Sequence, residues 1–139
     1  MSIEDRLADL GIDLPPVAKP VAAYVPAIQV GDQISTSGQL PLVSGSLPMT
    51  GLVGDQISQG DAAGQARVAA LNALAAAADV AGGVNNIRRV VRVVVYVAST
   101  ADFTAQPAVA NGASELFGEI FGDAGRHIRS AIGVASLPL

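Results

Sequence analysis

The chain has 139 residues, half of them apolar and only 14% charged, with a net charge of −4, no cysteine and a single histidine, His127. These figures exclude disulfides, thiolate metal sites and a cysteine nucleophile, and a histidine-built metal site would require subunits to share His127. The acidic balance argues against a nucleic-acid partner, whose phosphates need a basic patch.

The N-terminus opens with Ser2-Ile3-Glu4-Asp5, a capping-box-like start, and Ile3, Leu7 and Leu10 then fall at helical spacing up to Gly11. Leu14-Pro15-Pro16 and Lys19-Pro20 form an extended connector, because proline forbids helix continuation. Residues 1–20 therefore read as a helix with a Pro-rich extension, and 21–139 as one domain. Glu4, Asp5, Arg6 and Asp9 rule out a secretory start, so a cytoplasmic location is expected.

From Val21 to Ser37 apolar and polar residues alternate, with Gly31-Asp32 between Val21–Val30 and Gln33–Ser37, which predicts an antiparallel hairpin. Pro41 to Gly54 reads as loop, with a short strand near Leu52. Ser58 to Ala81 is an alanine-rich helix bounded by Ser58 with Asp61 and by Gly82-Gly83, with Val68, Leu71, Ala75 and Ala78 as its inward face. Val90 to Val97 is β-branched almost throughout and suits a central strand. Phe103 to Phe121 is a second long helix with Val109, Ala113, Leu116 and Ile120 inward, and Ile128 to Ala135 is a closing strand.

This order predicts an α+β fold in which the two long helices pack on one face of a mixed sheet, with a helix crossover permitting a parallel pairing. The other face of the sheet would be bare. The charged fraction lies well below the roughly 25% of an ordinary soluble domain, so some surface should be hidden by a partner. A membrane is excluded as that partner, because no run of about 18 apolar residues exists. Asn72, Asp79, Arg88, Arg89 and Arg92 interrupt the most apolar stretches. Burial of the bare face against other copies is the better reading.

Several segments together resemble the Rid/YjgF family of reactive-intermediate deaminases. Thr36-Ser37-Gly38-Gln39-Leu40-Pro41 resembles its TSGQ-x-P motif, with Tyr24 upstream at the family's spacing. Gln65-Ala66-Arg67 opens a similar first helix, and Val94-Val95-Tyr96-Val97 before Asp102-Phe103 is similar to its central strand and turn. Asn111, Glu115 and Phe117 match its N-x-x-x-E-x-F, and Arg129-Ser130 through Leu137-Pro138 matches its R-S-x-x-x-V-x-x-L-P. The resemblance runs from about Val21 to Pro138. It implies a chorismate-mutase-like fold, a homotrimer whose sheets form a central barrel, and ligand clefts between subunits.

Arg129 is the foremost candidate. A guanidinium is permanently charged and its planar fork matches a carboxylate, and the resemblance gives this arginine the substrate carboxylate. Read locally, it would sooner be an exposed strand residue or half of a structural ion pair; the surrounding motif reverses that order. Ser37 and Gly38 offer a hydroxyl and a backbone that a ligand can approach closely; the alternative is an ordinary strand-end turn. Tyr24 could wall a pocket or serve as a core or interface aromatic. Asn111 is a poor helix former, which points to a hydrogen-bonding task, and Glu115 one turn later shares its face or is merely solvated. Ser130 adjoins Arg129 in the motif. His127 either borders the cleft or packs as a structural residue.

The resemblance implies a cofactor-free imine/enamine deaminase that turns 2-imino or 2-enamino acids into 2-keto acids and ammonia. Two departures bear on this. Ala131 stands where active members often carry cysteine, and the sequence stops at Leu139, before a further strand that carries a glutamate in the family, so we expect the natural chain to continue. A non-catalytic trimer that binds a metabolite carboxylate is the second reading, and a ribonuclease the third.

Overall fold

The computed structural model describes residues 1–20 and 22–139. Helix α1 (Ile3–Asp9) begins where Ser2 Oγ accepts the Asp5 N–H at 3.0 Å, satisfying one of the donors that a helix start leaves open. It is tied to the body of the protein. Leu7 enters the main core, and Arg6 Nε donates to the Glu119 carbonyl at 2.8 Å.

Strands β1 (Ala27–Val30) and β2 (Gln33–Thr36) form the antiparallel hairpin about Gly31-Asp32. The first strand is shorter than the alternation suggests. Pro26 has no N–H to give a ladder, so only its carbonyl pairs and the regular ladder begins after it; Val21 lies outside the described residues.

Helix α2 (Gln59–Ala81) is capped by Ser58 Oγ, which accepts the Asp61 N–H at 3.1 Å, and ends at Gly82. Its packing corrects the expected face. Ala75 and Ala78 are buried, but Val68 and Leu71 are only half-buried and Leu74 is 4% exposed. The helix is covered on two sides, by the hairpin and by the next long helix, so a single apolar stripe does not describe it.

Strand β3 (Arg92–Ala98), helix α3 (Gln106–Phe121) and strand β4 (Ile128–Val134) complete the chain. Helix α3 starts later than Phe103 because Pro107 belongs in a first helical turn, where its missing N–H costs nothing. It crosses α2 very closely at Gly112, where a Cβ would meet the Ala63 carbonyl oxygen. Strands β3 and β4 are parallel, with Val93 opposite Arg129, Val95 opposite Ala131 and Val97 opposite Gly133. Val93, Val95 and Val97 pack into the clusters built by α2 and α3, so this face of the pair is the covered one.

The α+β class holds, but the single mixed sheet does not. Among the described residues there are two two-stranded sheets, β1–β2 and β3–β4. The edge of β3 away from β4 is met at its end by Val53, whose N–H donates to the Ala98 carbonyl and whose carbonyl accepts the Thr100 N–H. β-Branched content marks a strand without choosing its partner, and here the loop takes that edge. The opposite face of β3–β4 carries Val94, Tyr96, Ile128 and Ile132 by strand alternation. Tyr96 is 56% exposed and Ile128 67% exposed. Among the described residues, no helix is long and apolar enough to cross a membrane.

Candidate functional site

Arg129 is the second residue of β4 and lies on the helix-covered face of the pair, at the margin beside α3. Its Nη1 donates to Asn111 Oδ1 at 2.7 Å and to Ser114 Oγ at 3.1 Å. Asn111 and Ser114 are three residues apart on α3, so the helix presents both from one face. Both acceptors are neutral. The ion pair found among the described residues joins Arg67 to Glu119 at 2.9 Å, and no carboxylate among those residues is paired with Arg129. Among the described residues, the structural ion pair that the local sequence left open is therefore absent. The guanidinium is exposed, anchored through one nitrogen, with Nε and Nη2 unpartnered among the described residues. A positive fork oriented this way can accept a carboxylate through its remaining donors.

His127 belongs to the same network. Its Nε2 lies 2.9 Å from Ser114 Oγ and its Nδ1 lies 2.7 Å from the Gly125 carbonyl oxygen. The ring meets Phe117 edge-on, with centroids 6.0 Å apart. The 3-10 turn Gly122–Gly125 reaches His127 only because residue 125 is glycine: a Cβ there would stand 2.2 Å from the Phe117 carbonyl oxygen. The sequence motifs do not single out Ser114; its place three residues after Asn111, on the same face of α3, is the available clue.

Tyr24, Ser37 and Gly38 form a second group, on the hairpin. Ser37 Oγ donates to the Val25 carbonyl at 2.6 Å and Ser37 N–H donates to the Pro26 carbonyl at 2.7 Å, which fixes the segment after Tyr24 against the end of β2. The Ser37 hydroxyl proton is thereby committed, leaving its oxygen to accept. Gly38 is exposed, and a Cβ there would meet nothing within 4 Å, so the protein itself does not demand a glycine at this place. Tyr24 is 49% exposed. No hydrogen bond joins this group to the Arg129 network among the described residues.

Ser130 does not join Arg129. It pairs with Val94 on the bare face, and successive side chains of a strand point to opposite sides. Glu115 lines an open groove between α2 and α3 together with Arg67, Asn111 and Gly112, and it has no hydrogen-bond partner among the described residues. No cluster of three or more metal-ligating side chains occurs among the described residues.

Residues 4–139 match the family model described as "YjgF/chorismate_mutase-like, putative endoribonuclease". The chain belongs to this family. Within the YjgF family and its fold, similar proteins are readily found. The chain is 41% identical over 134 residues to protein TCP17 of Trypanosoma cruzi, covering 96% of this chain and 84% of that one. A Shewanella oneidensis crystal structure bearing the same endoribonuclease description superposes with a TM-score of 0.94 at 33% identity, covering 99% of this chain and 91% of its own. Protein Atu1372 of Agrobacterium tumefaciens gives a TM-score of 0.89 at 42% identity, covering 99% and 85%. Escherichia coli TdcF, solved with bound serine, shares the YjgF fold at a TM-score of 0.60 and 24% identity, covering 90% and 84%.

Proposed function

We propose that this YjgF-family chain binds small 2-imino or 2-enamino acids by their carboxylate and hydrolyses them to 2-keto acids. The observation that carries this reading is the un-neutralised Arg129 guanidinium, oriented by Asn111 and Ser114 with donors to spare. The carboxylate seats on those donors, and the adjacent imine carbon is thereby held in one place, which lowers the entropic part of the barrier. Water oxygen bonds to that carbon, the carbon–nitrogen bond of the resulting carbinolamine breaks, and nitrogen leaves as ammonia. An enamine first takes a proton at carbon to become the imine. The stoichiometry uses one water and needs no cofactor. That TdcF holds serine, itself a carboxylate, is in keeping with this chemistry.

The active form is proposed to be a homotrimer, with the bare β3–β4 faces turned to a common barrel and the clefts between subunits. Exposed Tyr96, Ile128 and Ile132 support this, because an apolar face of this kind is stabilised when water leaves it. The same arrangement would let the Tyr24–Ser37–Gly38 group of one copy meet the Arg129 network of another.

A non-catalytic carboxylate-binding role is the second reading, favoured by Ala131, whose methyl group cannot orient a polar substrate. The two separate in one assay. 2-Aminoacrylate is generated with a serine dehydratase, and ammonia release is compared with and without this protein. Acceleration is expected; no acceleration together with retained 2-keto acid binding leaves only the binding role. The endoribonuclease reading has less in its favour, because His127 is engaged by Ser114 and Gly125 and no second acid or base is hydrogen-bonded to it among the described residues.

A further inference from the structure

The network behind Arg129 has only one self-consistent set of proton positions when the imidazole is neutral. A carbonyl oxygen can only accept, so the 2.7 Å contact with the Gly125 carbonyl requires the proton of His127 to sit on Nδ1. Nε2 then carries a lone pair, and the 2.9 Å contact with Ser114 Oγ requires the serine hydroxyl to donate. With its proton spent there, Ser114 presents only lone pairs to Arg129 Nη1 at 3.1 Å. The outer partner of one ring nitrogen thus fixes what the other can do, and the effect is passed through a hydroxyl to the guanidinium.

We propose that Ser114 and His127 are positioning residues for the Arg129 carboxylate clamp, with His127 held as its Nδ1–H tautomer so that the Ser114 hydroxyl is an obligatory acceptor toward the guanidinium. This rests on the carboxylate reading of Arg129. The Gly125 carbonyl is delivered by a turn that only glycine allows against Phe117, and the Phe117 edge holds the ring plane. Neither residue touches substrate in this account. They set where the unused donors of Arg129 point.

The chain has one histidine, so its ring nitrogen signals can be read without assignment. In 15N NMR of the wild-type protein at alkaline pH, Nδ1 is expected to be protonated and Nε2 bare. A ring protonated at Nε2 overturns the proposal whatever the protein binds. Calorimetry with pyruvate as the probe supplies the second arm. Ser114→Ala and His127→Phe are expected to weaken binding by about tenfold, the scale of one lost charge-assisted hydrogen bond, and Ser114→Thr, which keeps the hydroxyl, to restore it. Wild-type affinity in Ser114→Ala overturns the positioning role and leaves the carboxylate reading standing. Wild-type affinity in Arg129→Gln overturns that reading, and the positioning role with it.

Discussion

Asn72, in the middle of α2, holds the Leu40 carbonyl at 2.9 Å through Nδ2 and reaches the Leu42 carbonyl at 3.1 Å with the same nitrogen. The side chain is buried, 4% exposed, and it fastens the loop that follows Thr36-Ser37-Gly38 to the longest helix of the protein. An asparagine that looks like an interruption in an apolar helix is a clasp for the segment behind the hairpin group.

Removing that clasp strands two partly buried carbonyls. Asn72→Ala is expected to lower unfolding stability by about 1–3 kcal/mol, the range for leaving buried polar groups unsatisfied. Urea unfolding measures it, and a loss below a few tenths of a kcal/mol would show that water replaces the amide without penalty.

Two glycines of α3 should respond in opposite directions to the same change. Gly112→Ala places a Cβ 1.9 Å from the Ala63 carbonyl oxygen, so the helices must move apart, at a cost of about 1–3 kcal/mol or more. At Gly118 a Cβ would meet nothing within 4 Å. Gly118→Ala should therefore gain about 0.5–1 kcal/mol from helix propensity. Paired thermal melts decide it: a rise in Tm for Gly112→Ala would mean that the α2–α3 crossing is looser than described.

A helix cap and an exposed ion pair offer a third comparison. Ser58→Ala loses the oxygen that accepts the Asp61 N–H and should cost about 1 kcal/mol. Glu119→Gln breaks the Arg67 pair, whose side chains are 38% and 43% exposed. Screening and side-chain entropy keep such pairs below about 1 kcal/mol, so this variant should differ little from wild type, and less still in high salt. Chemical denaturation of both variants at low and high salt tests the order.

Much of the architecture was legible in the sequence because its signals are local. Ser2 and Ser58 cap the helices they precede, Gly82 closes α2, and Val109, Ala113, Leu116 and Ile120 are buried. What escaped was the choice of partners. Nothing in the β-branched run around Val94 says that Val53, rather than the hairpin, meets the free edge of β3. The alanine-rich α2 has too little contrast between its faces to reveal that Leu74 is buried where Val68 is not. At the candidate site, Arg129, Asn111 and His127 were visible as residue types in a familiar order. Ser114, which connects them, offers only its spacing of three from Asn111 until the helix and β4 are placed side by side. Ser130 follows Arg129 in sequence, yet strand alternation sends it to the other face.

The central claim is that the charge of Arg129 recognises a carboxylate. Its most direct test is calorimetry of the wild-type protein and of Arg129→Gln with pyruvate and with pyruvamide, which differ in replacing the carboxylate by a neutral amide. Wild type should prefer pyruvate by about tenfold or more, as expected for a charge-assisted hydrogen bond, and Arg129→Gln should lose that preference. Equal affinity of the wild-type protein for both compounds, or a preference for pyruvate that survives in Arg129→Gln, would contradict the account.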